Sequence, residues 1–283
     1  MPSEQTHFPS PSHSPSNSAS THISRCRDQL LNSGFYLADG DILKNVEWIR
    51  QGRSHYLAAV EENSDQNSLS ATHQLAELSA IVFIDSKNYW LTSDGGYRKG
   101  VGMWNHLYDV KPSCTISELP MHPAKADFCS AMKNLRILMQ KIGTPGYEKG
   151  KGFVFYDNSS PSPTRFKIRH CLFEVHGDDF LPQNIRLTQE GTRDELFDLQ
   201  KTHRMVPLQA RGEDGYILSP AAYRSHLENT VVELQFNLWH WPIAPRSGSS
   251  GKDSFTADIV QIRVLVPPPP PVSNSPAKRK IGS

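Results

Sequence analysis

Residues 229–241 read NTVVELQFNLWHW and residues 254–266 read SFTADIVQIRVLV, with the Gly/Ser-rich stretch PRSGSSGK between them. In the first segment Val232, Leu234, Phe236 and Leu238 alternate with Glu233, Gln235, Asn237, Trp239 and Trp241. Period two is the signature of a strand with one apolar face. In the second segment Phe255, Ala257 and Ile259 share a phase, whereas Val260, Ile262, Val264 and Val266 take the opposite one. A phase switch inside one strand predicts a bulge, or a strand that serves two sheets as in small barrels. Together the segments predict an antiparallel hairpin within a barrel-like C-terminal sheet.

Outward from the hairpin, residues 165–175 also alternate. Phe166, Ile168, His170 and Leu172 fall on one face, and Arg165, Lys167 and Arg169 on the other. Period two therefore gathers three cations on one sheet surface. Residues 152–157, 203–209 and 215–218 read as further strands, and 193–200 and 220–228 as short helices. The clearest helix covers 124–142, where Phe128, Ala131, Met132, Leu135, Leu138, Met139 and Ile142 recur at 3/4 spacing and Gly143 ends the pattern. Earlier still, 80–85 and 89–92 read as strands before the turn Asp94-Gly95-Gly96. Residues 41–62 show partial helical spacing (Ile42, Val46, Ile49) and predict a helix broken by Gly52, and 63–68 a polar loop.

Composition sets the outer bounds. The chain has 283 residues, is 37% hydrophobic and contains 21 prolines. That apolar content is below the usual ~45–50% (a count that includes Gly), which implies a folded core with disordered ends. Residues 1–22 are Ser/Pro-rich and predict a disordered head; 267–283 predict a polyproline and basic disordered tail. Between them, 23–145 read as a mixed helical and strand region and 146–266 as the antiparallel barrel-like β region. The formal charge of +1 disfavours a globally basic or acidic partner logic. It conceals a polarised chain. Residues 141–169 carry six Lys/Arg against two carboxylates, whereas 171–215 carry five against nine. No apolar run approaches the ~18–20 residues of a membrane span, and the first residues lack the pattern of a signal peptide. Cys26, Cys114, Cys129 and Cys171 form no CxxC, so a reducing compartment, nucleus or cytoplasm, is expected.

The hairpin resembles the last strand pair of the single-stranded DNA-binding protein family, which has an OB-fold. The matching stretches are VVELQFNLWHW and DSFTADIVQIRVL, about 35 residues; Phe236 stands near the family's strand glycine, and a basic tail replaces its acidic one. The resemblance implies an OB-like sheet in which Trp239 and Trp241 stack bases. The run Lys149-Gly150-Lys151-Gly152-Phe153-Val154-Phe155-Tyr156 resembles the RNA-contacting octamer of RNA-recognition motifs. Lys151 replaces an aromatic there and no strand lies one helix earlier, so what is retained is two lysines on a Gly-rich turn able to meet phosphates. In texture the chain resembles proteins of mushroom-forming fungi, a likeness that implies no activity.

The tail carries Pro276-Ala277-Lys278-Arg279-Lys280, which resembles a short nuclear-import signal in Lys278, Arg279 and Lys280. Ser275 and Ser162 each fit the Ser-Pro-x-basic pattern of proline-directed kinases. The run Pro267 to Pro271 could dock on an aromatic groove of a protein partner or act as a stiff spacer. No HExxH, GxSxG or GxxxxGK[ST] occurs, and the loop GGYRKGVG (95–102) lacks the Lys-Ser/Thr end. His170, Cys171, His176, Asp178 and Asp179 cluster in sequence, but alternation separates Cys171 from the two histidines; no catalytic residue, metal or cofactor is assigned.

The expectation is an α+β protein with helices in the N-terminal half. Its expected role is a nuclear, non-catalytic binding module for single-stranded DNA or RNA, using Lys149, Lys151, Arg165, Lys167, Arg169, Trp239 and Trp241. The alternative is a protein-interaction module using the Trp face and polyproline tail, and the third an enzyme of unknown class.

Overall fold

The computed structural model describes residues 15–60, 73–101, 104–122, 124–157, 160–175 and 193–269. The helices are α1 (Pro15–Leu31), α2 (Ile42–Asn45), α3 (Lys125–Ile142), α4 (Arg193–Leu199) and α5 (Tyr223–Leu227). The strands are β1 (Val46–Gln51), β2 (Ser54–Ala59), β3 (Leu78–Ile84), β4 (Ser113–Ser117), β5 (Glu148–Lys149), β6 (Val154–Phe155), β7 (Arg165–Arg169), β8 (Phe173–Val175), β9 (His203–Met205), β10 (Ala210–Arg211), β11 (Thr230–Ile243) and β12 (Lys252–Val266). The chain is thus α+β with one large, mostly antiparallel sheet. Strands β1–β4 lie in the N-terminal half and α4 and α5 in the C-terminal half, so the expected division of helices from sheet is not how the elements are distributed.

The long hairpin organises everything. β11 and β12 pair antiparallel from Val231↔Val266 to Ile243↔Lys252, with a register shift between Gln235 and Phe236. Gln235 faces Gln261 and Phe236 faces Ile259, which leaves Val260 as the extra residue. The bulge therefore sits where the apolar phase switches. On its other edge β11 pairs with β3 along its first half and with β2 near Trp239 and His240. β12 likewise hands its free edge in turn to β5, β7 and β10, all parallel. β4 joins β3 to β7, so the pairings β3–β4–β7–β12–β11 return to β3. The sheet is not a closed barrel, because the β3–β4 and β7–β12 seams are each two residue pairs long.

The concave face holds the core. Val232, Leu234, Phe236 and Leu238 of β11 meet Phe255, Ala257 and Ile259 of β12, Phe166 and Ile168 of β7, and Cys114 and Ile116 of β4. α3 lies over this cluster through Phe128, Ala131, Met132, Leu135, Leu138 and Met139, as its spacing predicts. α1 covers the opposite face at the other end, seating Ile23, Cys26 and Leu30 on Ile81, Val231 and Leu265. It begins at Pro15, inside the stretch whose composition predicts disorder. A smaller cluster of Tyr97, Leu107, Leu172, Phe173, Leu196, Leu199 and Met205 gathers α4 and the separate two-stranded β8–β9 sheet.

Some local expectations are corrected. Residues 41–59 form a short helical turn and then a hairpin, β1–β2, instead of a helix. Gln51 pairs with Ser54 across Gly52 and Arg53, and Gly52 adopts φ +61°, the conformation a tight two-residue turn requires. Val46, Trp48, Ile49 and Tyr56 are residues that favour a pleated, half-buried surface, and that preference outweighs a broken helical spacing. Residues 215–218 are not a strand, although Ile217 bridges to Arg211. The tail positions Ser275, Lys278, Arg279 and Lys280, the last two prolines of the run, and His176, Asp178 and Asp179 lie outside the described residues. No described helix is long and apolar enough to cross a membrane.

Candidate nucleic-acid interface

Alternation along β11 places Trp239 and Trp241 on the convex face, opposite Leu238 and His240. The two indoles stack with centroids 5.8 Å apart and planes 21° apart. Neither is fully buried; both are partly buried. Tyr56 of β2, in register with Trp239, extends the row at 5.6 Å. On the other side the Arg169 guanidinium sits 5.6 Å from the Trp241 ring centre. Arg169, Lys167 and Arg165 share this face because Phe166 and Ile168 point into the core. The basic strand and the tryptophans are therefore on one surface.

The row continues past Arg169. Ser113 of β4 is its register partner, and Ser113 exchanges backbone hydrogen bonds with Trp90 (2.7 and 3.3 Å). Residues 89–92, expected as a strand, are not one, but this single pairing preserves the alternation: Tyr89 and Leu91 are buried and Trp90 is 54% exposed. Trp90 and Tyr56 thus join a face that sequence reasoning built from Trp239 and Trp241 alone. The signal for Trp90 was its phase, opposite to its two apolar neighbours.

The cations are partly spoken for. Arg169 donates to Asp258 at 2.5 Å, and Arg165 to Asp157 at 3.1 Å while lying over Phe155. Lys167 is exposed as a residue; partial desolvation by burial first, and Arg169 second, hold its ammonium below the usual lysine range. Lys149 and Lys151 do not join the face. β5 runs parallel to β12 with Lys149 in register with Asp253, so its exposed side chain lies on the face opposite the tryptophans. There Lys149 lies across Gly143, where a Cβ would meet its Cε at 2.4 Å. Lys151 pairs with Glu148 at 3.4 Å. Ser162 is exposed, and its hydroxyl accepts from Arg136 at 3.2 Å.

Beneath the tryptophans runs a buried polar chain that the sequence reading passed over. His240 continues the inward phase of Leu234, Phe236 and Leu238, and it is 1% exposed. Its Nε2 lies 3.0 Å from Asp253 Oδ1, and the Thr144 amide and hydroxyl also donate to that carboxylate at 2.7 and 2.9 Å. Nδ1 of His240 lies 3.3 Å from Nδ1 of His55. Burial, then His240, then Arg50 lower the His55 proton affinity. A histidine in the apolar phase of a strand was the available signal. Among the described residues no group of three His, Cys, Asp or Glu could hold a metal ion. No protein-family model, no curated protein and no solved structure matches the chain.

Proposed function

We propose that this chain is a non-catalytic binding module for single-stranded nucleic acid. The observation that carries the reading is the stacked Trp239–Trp241 pair with Arg169 against Trp241, on the face that also bears Arg165 and Lys167. Exposed aromatic faces beside cations are what unstacked bases and their phosphates require. The strand arrangement supports it. A partly open ring of five strands is also how OB-folds are built, and these bind oligonucleotides on the face of their second and third strands. Counting from β3, those strands are β4 and β7. A nuclear address through Lys278, Arg279 and Lys280 belongs to the same proposal.

The test is fluorescence anisotropy of labelled single-stranded DNA and RNA with the full chain. If Arg165, Lys167 and Arg169 each meet a phosphate, log K falls against log salt with a slope of about −2. Trp90→Ala, an exposed substitution, and Trp241→Ala should each weaken binding roughly tenfold. Asp258→Asn releases Arg169 from its carboxylate and should tighten binding roughly threefold. Replacing Lys278, Arg279 and Lys280 by Ala separates the tail from the folded face. Binding that vanishes with the tail variant and ignores both tryptophans ends the proposal. The carboxylate pairing of Arg165 and Arg169 favours a second reading, a protein partner on the same aromatic row. That reading expects no oligonucleotide binding, and capture weakened by Trp90→Ala but not by salt.

A further inference from the structure

A second site lies away from the aromatic row, and it does not depend on the nucleic-acid reading. A cavity of 290 Å³ opens between residues 91–93, 170–172, 205–208 and 217–223. That is at the small end of the ~300–1,000 Å³ range of ligand pockets. Leu91, Leu172, Met205, Leu208 and Leu218 supply apolar walls, and among the described residues no Asp, Glu, Lys or Arg lines it. Ions are therefore poor occupants, because no described charged side chain in the wall would offset the loss of their hydration.

One polar group is set into this wall. His170 is 6% exposed, and its Nε2 lies 2.6 Å from the Val206 carbonyl oxygen. A carbonyl can only accept, so Nε2 carries the proton. Burial lowers the proton affinity of the ring, more than the Val206 carbonyl raises it, and the imidazole stays neutral. Nδ1 is then a bare acceptor, and it has no partner among the described residues. It is not sealed in protein either: among the described residues His170 Nδ1 is not one of the fully enclosed side-chain atoms that lack a partner. Of the other polar groups in the wall, Tyr223 donates to the Leu208 carbonyl at 3.4 Å and Thr92 to Asp94 at 3.3 Å, and Ser93 and Ser219 complete the lining.

We propose that this cavity binds a compact, neutral, apolar molecule bearing one hydrogen-bond donor, which it presents to His170 Nδ1. An aromatic bicycle with a single N–H is the simplest member of the class. The donor gives orientation, and the apolar walls give affinity and exclude charged analogues.

Indole and 1-methylindole test this on the full chain, because they share a shape and differ in the donor. Expected on titration are shifts confined to the methyl resonances of Met205, Leu208 and Ile217 and to the His170 ring nitrogens. Indole should bind about fivefold more tightly than its methylated analogue, the size of one hydrogen bond. Ile217 is 55% exposed at the mouth, so Ile217→Trp should narrow the opening and weaken indole about tenfold with the melting temperature unchanged. Equal affinity for the two ligands, shifts elsewhere on the molecule, or no binding at millimolar indole would each overturn the proposal. The ligand comparison uses the natural chain, so it stands even where a variant folds poorly.

Discussion

His170 illustrates how a single residue changes meaning between sequence and fold. In the sequence it stands beside Cys171 and close to His176, Asp178 and Asp179, a cluster that invites a metal or catalytic reading. In the fold its ring is buried and neutral, with its proton committed to Val206. That assignment has a consequence for stability. Near neutral pH, above the ordinary histidine value of 6.5, both folded and unfolded forms of His170 are uncharged and contribute no pH dependence. As pH falls through 6.5 the unfolded chain takes up its proton first, so stability is lost, and the loss continues down to the lower folded-state value. His55 shifts in the same direction and adds to the effect. The urea midpoint should therefore drop between pH 7.5 and pH 5.5, and His170→Gln should flatten that drop. An unchanged slope in the variant would show that the ring is not held neutral by burial.

At the level of elements, alternation was the most legible signal and helical spacing the least secure. The β11–β12 hairpin, its bulge near Val260 and helix α3 all follow from the periodicity of apolar residues. β1–β2 did not, because a short segment with a few apolar positions satisfies either period, and Gly52 acts as a hairpin turn where it was read as a helix break. α1 is the complementary case. Its early residues have little apolar content, and what holds the helix is contact made far away in sequence. Arg27 donates to both oxygens of Asp127 on α3, at 2.5 and 3.1 Å, and Tyr36 donates to the same carboxylate at 2.9 Å. Cys26, with its thiol pushed up to about 12 by burial and Glu233, sits over the Glu233–Arg263 pair. Asp127→Asn keeps the shape and removes the charge. It should cost about 2 kcal/mol, the scale of hydrogen bonds to a charged group. Amide hydrogen exchange in α1 should accelerate with it; unchanged α1 exchange would mean that the apolar seat alone fixes the helix.

Across the whole molecule, stability is unevenly distributed. The principal cluster joins β2–β4, β7, β11, β12 and α3, whereas the cluster around Leu172, Leu196 and Met205 rests on a two-stranded sheet and a short helix. Units with few buried apolar partners open at lower free energy than the core. Native-state hydrogen exchange should therefore release the β8 and β9 amides well before those of β11 and β12. Simultaneous release would show that the two clusters unfold as one. Because His170, Leu172 and Met205 lie at this junction, the 290 Å³ cavity adjoins the less stable part of the fold. The molecule's charge also divides by region: the near-zero total hides a basic β7 whose arginines are already engaged by Asp157 and Asp258.

Local periodicity determined the strand faces, the α3 core stripe and the phase switch in β12, since each depends on side-chain directions within one element. It also placed Arg165, Lys167 and Arg169 together, and Trp239 with Trp241, as two separate pairs of facts. Which of these faces meet was decided by tertiary structure alone. Strand order brings β7 beside β12 and β11, so Arg169 reaches Trp241, while the parallel register of β5 sets the exposed Lys149 on the opposite face. Asp157, eight residues before Arg165, and Asp258, 89 residues after Arg169, then claim two of the three cations. The physical reason is that alternation fixes a side chain's direction relative to its own strand, whereas its neighbours depend on hydrogen-bond pairing between segments as much as 185 residues apart, which no local pattern encodes.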